Sequence, residues 1–598
     1  MSGPRLRRVV GSLAEASPMP EASLYELVRV GESRLLGEVI RIAGDEATVE
    51  VFEETAGLAE GDPVERTGGP LCVRLGPGLL GAVLDGMGRR LDVLGERDGA
   101  FLAPGSEVST LDEERRWGFA PSCRAGQVVR GGDVLGELEE RPGITHRVML
   151  PPDVSGVVAR VQAGEYRVDE PFGALEDGEP LTLVQSWPVR QPRPAALRLP
   201  ADRPFVTGQR VFDLLFPVAE GGAVALPGGF GTGKTVIEQS LARFAEADIV
   251  VYVGCGERGN EMAEVLAEFP DLVDPRTGRS LMDRSVLVVN TSNMPVAARE
   301  ASVYLGVSIA EFYRDMGHRV ALMADSISRW AEALREIGSR LGEMPGEEGY
   351  PTYLSHRLGQ LYERSGRVRC SGRPEREGAL TLVSAVSPPG GDFSEPVTQA
   401  SLRVVGALWA LDPALAHQRQ FPAVDWSTSY SLHADSTAQG FADQGGPDWA
   451  PLRRAVFSLL QRERELEEIA GLVGQDALDD ADRLLLQLAR MTRELVIGQN
   501  AFDPNDAASP VFKTHALASL VTTLHARAES AVAEGASLVD LDLAGVRDAI
   551  AAVRDAEPAD VAARADAARA KIESLAEAAS APSEASGPGT SPAAGEAP

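Results

Sequence analysis

Eight consecutive residues, Gly228-Gly229-Phe230-Gly231-Thr232-Gly233-Lys234-Thr235, carry the spacing of a phosphate-binding loop: glycine at each end of a short frame, then lysine, then a hydroxyl. Glycines let the backbone turn its amides inward, where a side chain would block an approaching phosphate oxygen. A helix starting at the end of the loop adds its positive dipole end. In this frame Lys234 reaches β- and γ-phosphates, and the Thr235 hydroxyl is placed for Mg²⁺. A Gly-rich turn matches such a pattern by chance, so context matters. A short apolar run, Ala223-Val224-Ala225-Leu226, precedes the loop. A helix-capable stretch from Val236 to Ala247 follows it, with Val236 next to the nucleotide.

Hydrolysis asks for more than phosphate binding. A second acidic group should end a core strand and hold Mg²⁺ through water. The run Arg319-Val320-Ala321-Leu322-Met323-Ala324-Asp325 supplies one, with Asp325 at the edge where open α/β sheets meet ligands. A water must also be oriented for attack. The segment from Gly254 to Glu261 follows the apolar run Ile249–Val253, which puts Glu257 near a strand end and Arg258 beside it. Glu257 then polarises water and Arg258 meets phosphate oxygens, or the two form a strand-end salt bridge; the residues alone leave both open. Phe421 and Phe502 stand beside turn residues in aliphatic segments and are candidates to wall an adenine. A place in the core is the simpler reading of each.

These side chains need a scaffold. Segments such as Gly37–Ile42 and Ala47–Val51 alternate apolar and polar residues with period two, which predicts an N-terminal β-barrel over 1–75. Residues 110–189 are rich in Gly and Val and read as an inserted β-rich domain. They interrupt an α/β nucleotide domain made of 76–109 and 190–430. There, bounded apolar runs (Ile249–Val253, Val286–Val289, Val320–Ala324, Leu380–Val383) fit strands buried on both faces of a parallel sheet. The region 431–578 is predicted helical, with Leu484, Leu488, Met491 and Leu495 on one face and Arg483, Gln487, Arg490 and Glu494 on the other. The stretch 579–598 is Ser/Pro/Gly/Ala/Glu-rich and predicts a disordered tail.

The net charge of −30 repels phosphate backbones and argues against nucleic acid as a partner. No apolar run is long enough to span a bilayer, and none follows the arginines near Met1 as a secretory signal requires. The four cysteines form no C-x-x-C pair, which fits free thiols in a reducing compartment.

Taken with their neighbours, the motifs resemble the catalytic A subunits (alpha chains) of the V-type rotary ATPases of archaea and bacteria. The resemblance runs through Pro227–Thr235, Gly254–Met262, Ala324–Ile337, Met344–Pro351, Ser387–Pro396 and Phe421–Trp426. It covers nearly the whole chain except the tail. It implies a β-barrel, a RecA-like P-loop domain and a helical C-terminal domain. It implies ATP or ADP with Mg²⁺ as ligands, and ATP hydrolysis or synthesis coupled to proton or Na⁺ transport. By this resemblance Lys234 and Thr235 hold phosphate and Mg²⁺, Glu257 polarises the water, Arg258 contacts phosphate, Glu261 and Asp325 form the outer shell of Mg²⁺, and Phe421 and Phe502 sandwich adenine. The implied partners are B subunits alternating with A in an A3B3 ring and lending an arginine in trans, a central rotor stalk, a peripheral stalk and a membrane sector. The implied place is the cytoplasmic face of a membrane. Gly229 departs from the family's usual Pro or Ala, and Thr232 from the redox cysteine of some eukaryotic relatives. A hexameric RecA-like motor of the protein-export or helicase type is the alternative, and a nucleotide-binding chain without catalysis is a third reading.

Overall fold

The computed structural model describes residues 3–99, 103–474 and 478–580 and falls into two units, Met1–Asp443 and Gln444–Pro598. The tail expected at 579–598 lies outside the described residues from 581 onward.

The first unit opens with the expected barrel. Its strands are β1 (Arg5–Val10), β2 (Leu13–Ser17), β3 (Glu26–Val30), β4 (Leu35–Ala43), β5 (Glu46–Val51) and β6 (Val64–Pro70), in the order 1-2-5-4-3-6. Leu6 N donates to Asp62 O and Val64 N to Pro4 O, both at 2.9 Å, so the two ends of the sheet meet. Alternation does the sorting: Val28, Val30, Val39 and Val49 are fully buried inside.

Short antiparallel strands between Trp117 and Leu181 build two four-stranded sheets. The chain then returns through Gln185–Pro188, which pairs with Cys72–Leu75. Buried polar contacts fasten this β-rich part to its surroundings. Glu140 Oε2 lies 2.8 Å from His146 Nδ1, and Glu140 Oε1 accepts from the Tyr313 hydroxyl at 2.9 Å and from Gly78 N at 2.8 Å.

The nucleotide domain is a parallel sheet. Its strands are β7 (Val83–Asp85), β8 (Ala223–Pro227), β9 (Ile249–Glu257), β10 (Ser285–Thr291), β11 (Arg319–Asp325), β12 (Glu377–Val386) and β13 (Ala407–Leu408), in the order 7-10-9-11-12-8-13. All six pairings along that path are parallel. Helix α1 (Lys234–Phe244) follows β8, α2 (Gly259–Glu268) follows β9, α3 (Val296–Asp315) follows β10 and α4 (Ile327–Leu341) follows β11. Each strand is apolar on both sides because helices cover both faces. Helix α3 is buried almost along its whole length. It carries Glu300, which shares the Arg190 guanidinium with Glu38 of β4 and so ties the barrel to this domain.

The second unit is helical: α5 (Trp449–Val473), α6 (Asp480–Thr492), α7 (Val511–Ala533), α8 (Leu543–Arg554) and α9 (Val561–Ser580). The predicted stripe is its core-facing side, since Leu484, Leu488, Met491 and Leu495 are all buried. Gln487 and Arg490 face solvent, while Arg483 and Glu494 are half-buried.

Candidate active site at the carboxyl edge of the parallel sheet

The loop 228–233 joins β8 to α1. Gly231 (φ 77°) and Gly233 (φ 89°) adopt the left-handed backbone that L side chains avoid. Gly228 is constrained by space instead: a Cβ there would lie 2.6 Å from Thr232 Oγ1 and 2.9 Å from Leu411 Cβ. Gly229 has neither constraint, and its nearest neighbour would be Pro413 Cγ at 3.5 Å. Gly229→Ala is therefore expected to keep nucleotide affinity and to gain about 0.4–1 kcal/mol by restricting the unfolded chain. Gly228→Ala is expected to weaken nucleotide binding. Thermal melts and nucleotide titrations of the two variants check this.

Lys234 Nζ reaches back across the loop and donates to Gly228 O at 2.7 Å and Gly229 O at 3.0 Å. Thr232 Oγ1 donates to Gly229 O at 2.8 Å. One residue on, Thr235 Oγ1 donates to Asp325 Oδ2 at 3.1 Å. The first turn of α1 and the end of β11 thus bring together two residues 90 positions apart. Val236 is exposed beside them and Phe230 projects from the loop tip.

Strand β9 runs past the predicted end at Val253 and finishes on Glu257. It pairs with β11, placing Gly254 beside Asp325, so Glu257 overhangs the carboxyl edge next to Asp325. Burial pushes the Glu257 carboxyl up to about 7, and nearby Asp325 adds to this. Ser326 and the Arg329 guanidinium hold it back. Burial raises Asp325 as well, against the pull of Lys234 and the Thr235 hydroxyl. Lys234 is lowered by burial, opposed by Asp325, Glu257 and Glu238. Several acidic groups thus surround one ammonium, an excess of negative potential that suits a divalent cation.

The donor set fits Mg²⁺. Among the described residues no three His, Cys, Asp or Glu side chains gather closely enough to hold a metal alone. Mg²⁺ at phosphate sites needs only one or two protein oxygens and takes the rest from phosphates and water. Thr235 supplies one such oxygen, and Asp325, hydrogen-bonded to it at 3.1 Å, stands where a water of the ion would be. Glu261 lies on the first turn of α2, with Oε1 3.6 Å from Arg258 Nη1.

Residues 208–431 match the nucleotide-binding domain of the ATP synthase alpha/beta family. Residues 7–68 match the beta-barrel domain of that family, 108–190 its barrel-sandwich domain, and 439–540 the C-terminal domain of V and A type ATP synthases. The V-type ATP synthase alpha chain of Anaeromyxobacter dehalogenans strain 2CP-C is 56% identical over 96% of this chain and 98% of its own. That of Thermoanaerobacter pseudethanolicus is 50% identical over 93% and 95%. The corresponding chain of the A-type ATP synthase of Methanopyrus kandleri is 52% identical over 92% and 93%. The chain belongs to the V/A-type ATP synthase alpha-chain family. A solved structure of the assembled ATPase EscN, from the type III secretion system of enteropathogenic E. coli, aligns with a TM-score of 0.62. It covers 87% of this chain and all of its own at 23% identity, and it shares the fold.

In this V/A-type alpha chain neither adenine candidate sits in a core. Phe421 is 46% exposed, and its Cε1 lies 4.0 Å from where a Gly233 Cβ would stand, so it borders the phosphate loop. Phe502 is 97% exposed on the loop between Ile497 and Val511 of the second unit. Cys255 is fully buried, and burial pushes its thiol up to about 12.

Two residues here escaped the sequence reading. Arg329, on the first turn of α4, donates to Glu332 at 2.9 Å and directs positive charge toward Glu257. Its signal was the spacing of four from Asp325, which puts it just inside the helix that leaves the strand end. Glu238 follows Lys234 by one turn of α1 and is fully buried, with the Ala385 backbone N–H the hydrogen-bond donor that faces its carboxyl. Burial raises it well above the usual carboxylate range, and Asp325 adds to that. A raised acid stabilises the fold only at low pH, and the stability drains as pH rises above the unfolded value. Glu238→Gln lacks that loss. Its stability advantage over the parent is expected to grow with pH above about 4.5, by at most about 1.4 kcal/mol per unit, as melts across pH 5–9 would show.

Proposed function

We propose that this chain binds ATP at 228–235 with Mg²⁺ and is the catalytic subunit of a rotary, ion-translocating ATPase. The observation that carries the site is the Thr235–Asp325 contact at 3.1 Å, with Glu257 overhanging the same sheet edge. Inward amides of the loop cradle the phosphates, and Lys234 leaves its two carbonyl partners to reach the β- and γ-oxygens. Mg²⁺, when bound, neutralises charge that develops on the phosphoryl oxygens. Thr235 would hold it directly, and Asp325 and Glu261 would act through its water shell. Glu257 accepts a hydrogen bond from the attacking water and aligns it with the γ-phosphorus. Arg258 meets phosphate oxygens, while Phe421, which borders the phosphate loop, walls the adenine.

Kinship supports a multisubunit assembly, and we propose its arrangement. B subunits alternate with this chain in an A3B3 ring and lend an arginine to each site. Central and peripheral stalks connect the ring to a membrane sector. Its proposed place is the cytoplasmic face of the membrane; among the described residues no helix is long and apolar enough to cross one. Purification of the native complex, followed by ATP-driven proton or Na⁺ uptake into vesicles that carry it, tests the reading. ATPase activity without a co-purifying membrane sector would transfer the chain to the export or helicase class of motor.

A further inference from the structure

A phenylalanine with 83% of its surface exposed stands out, because burial alone would place the ring elsewhere. Phe230 occupies the tip of the phosphate loop between Gly229 and Gly231, and the left-handed turn at Gly231 (φ 77°) carries the chain away beneath it. The ring meets a cation: the Arg258 guanidinium carbon lies 5.0 Å from its centroid. Arg258 has extended backbone (φ −66°, ψ 140°) at the start of α2, so its side chain departs from the sheet edge immediately after Glu257. Glu261 Oε1 stands 3.6 Å from Arg258 Nη1. The guanidinium is therefore shared between a ring on the phosphate loop and a carboxylate on α2.

Neither contact is strong. The Arg258 side chain is 60% exposed and that of Glu261 37%, and an exposed ion pair or cation–π pair is a weak restraint. Weak restraints orient a long, rotamer-rich side chain without trapping it. The two differ in kind. The carboxylate competes with phosphate for the same N–H donors, whereas the ring takes the flat face of the guanidinium and leaves its N–H edge free. The ring also belongs to the loop that holds the phosphates, so its position is tied to theirs.

We propose that Phe230 is a positioning residue: its ring holds the Arg258 guanidinium over the phosphate loop with the donor edge toward the phosphates. The inference rests on the ATP-site reading of that loop. It assigns the exposed aromatic a task on the reaction coordinate rather than in packing.

A double-mutant cycle in the assembled complex tests it, using Phe230→Leu, Arg258→Ala and the pair, with Phe230→Trp as the conservative variant. Phe230→Leu is expected to lower kcat about two- to fivefold, the range of an exposed cation–π contact, with nucleotide affinity unchanged within twofold. Phe230→Trp is expected to restore kcat. In the Arg258→Ala background, Phe230→Leu is expected to have no further effect. Equal losses from Phe230→Leu in both backgrounds would overturn the proposal and identify the ring as a packing element against a neighbouring protomer. Parental turnover in Arg258→Ala would also overturn it, while leaving the ATP-site reading to stand or fall with Lys234→Ala.

Discussion

Lys234→Ala, assembled with its partner chains, is expected to lose ATP turnover by about 10³-fold or more, as when a preorganised charged donor is removed from phosphoryl oxygens. The loss follows from where the ammonium sits. Burial disfavours its charge, and Asp325, Glu257 and Glu238 oppose that shift. A desolvated cation acts on phosphate through low dielectric, so it is worth more here than on a surface. The same setting limits the damage to the fold. The side chain gives up two hydrogen bonds, to Gly228 O and Gly229 O, and also the desolvation of a buried charge. These act in opposite directions, so the variant's melting temperature should stay near the parent's. Nucleotide titration together with a thermal melt separates the two effects. Lost binding with an intact melt is the expected pair of results; full turnover would remove Lys234 from the site.

How legible the site was depended on how local each constraint is. The phosphate loop was readable because its requirements are stereochemical and confined to neighbours: positive φ at Gly231 and Gly233, and no room for a Cβ at Gly228. Asp325 was readable because a buried parallel strand is a continuous apolar run, and its end marks the sheet edge. The extent of β9 was not. Gly254, Cys255 and Gly256 break the apolar run after Val253, yet pairing with β10 carries the strand to Glu257. Glu238 looks like an ordinary polar position on a helix, and only the packing of α1 shows it to be fully buried. The acids of α3 hid for the same reason. Glu300 and Glu311 are buried because Arg190 and Arg364 arrive from distant segments, and no periodicity within the helix announces a partner more than 50 residues away. The aromatic candidates erred in the other direction. A core place for Phe421 and Phe502 was the simpler reading, and both rings are exposed, since burial is a property of what surrounds a side chain rather than of its type.

Glu257→Gln separates the two readings that the sequence left open for this carboxylate. The substitution keeps the shape and removes the charge. If Glu257 orients and polarises the attacking water, turnover in the assembled complex falls by about 10²–10⁴-fold, the range for a positioned acid–base group. The parent's kcat/KM should then fall as pH drops below about 7, where burial and Asp325 place this carboxyl, and the variant should lack that limb. Stability runs the other way. A carboxyl raised from 4.5 to about 7 favours folding only in its protonated form, so its contribution is full below 4.5 and lost as pH rises through 7. Removing the charge therefore stabilises the chain at pH 8, by up to about 3 kcal/mol on the linkage arithmetic, and changes little at pH 4. A strand-end salt bridge predicts the opposite sign, because a paired carboxylate stabilises above its unfolded pKa and its loss lowers the melt at pH 8. Melts of parent and variant at pH 4 and pH 8, beside turnover, decide between them. A variant that is more stable and inactive has lost a carboxylate held at the sheet edge for chemistry, at the expense of the fold.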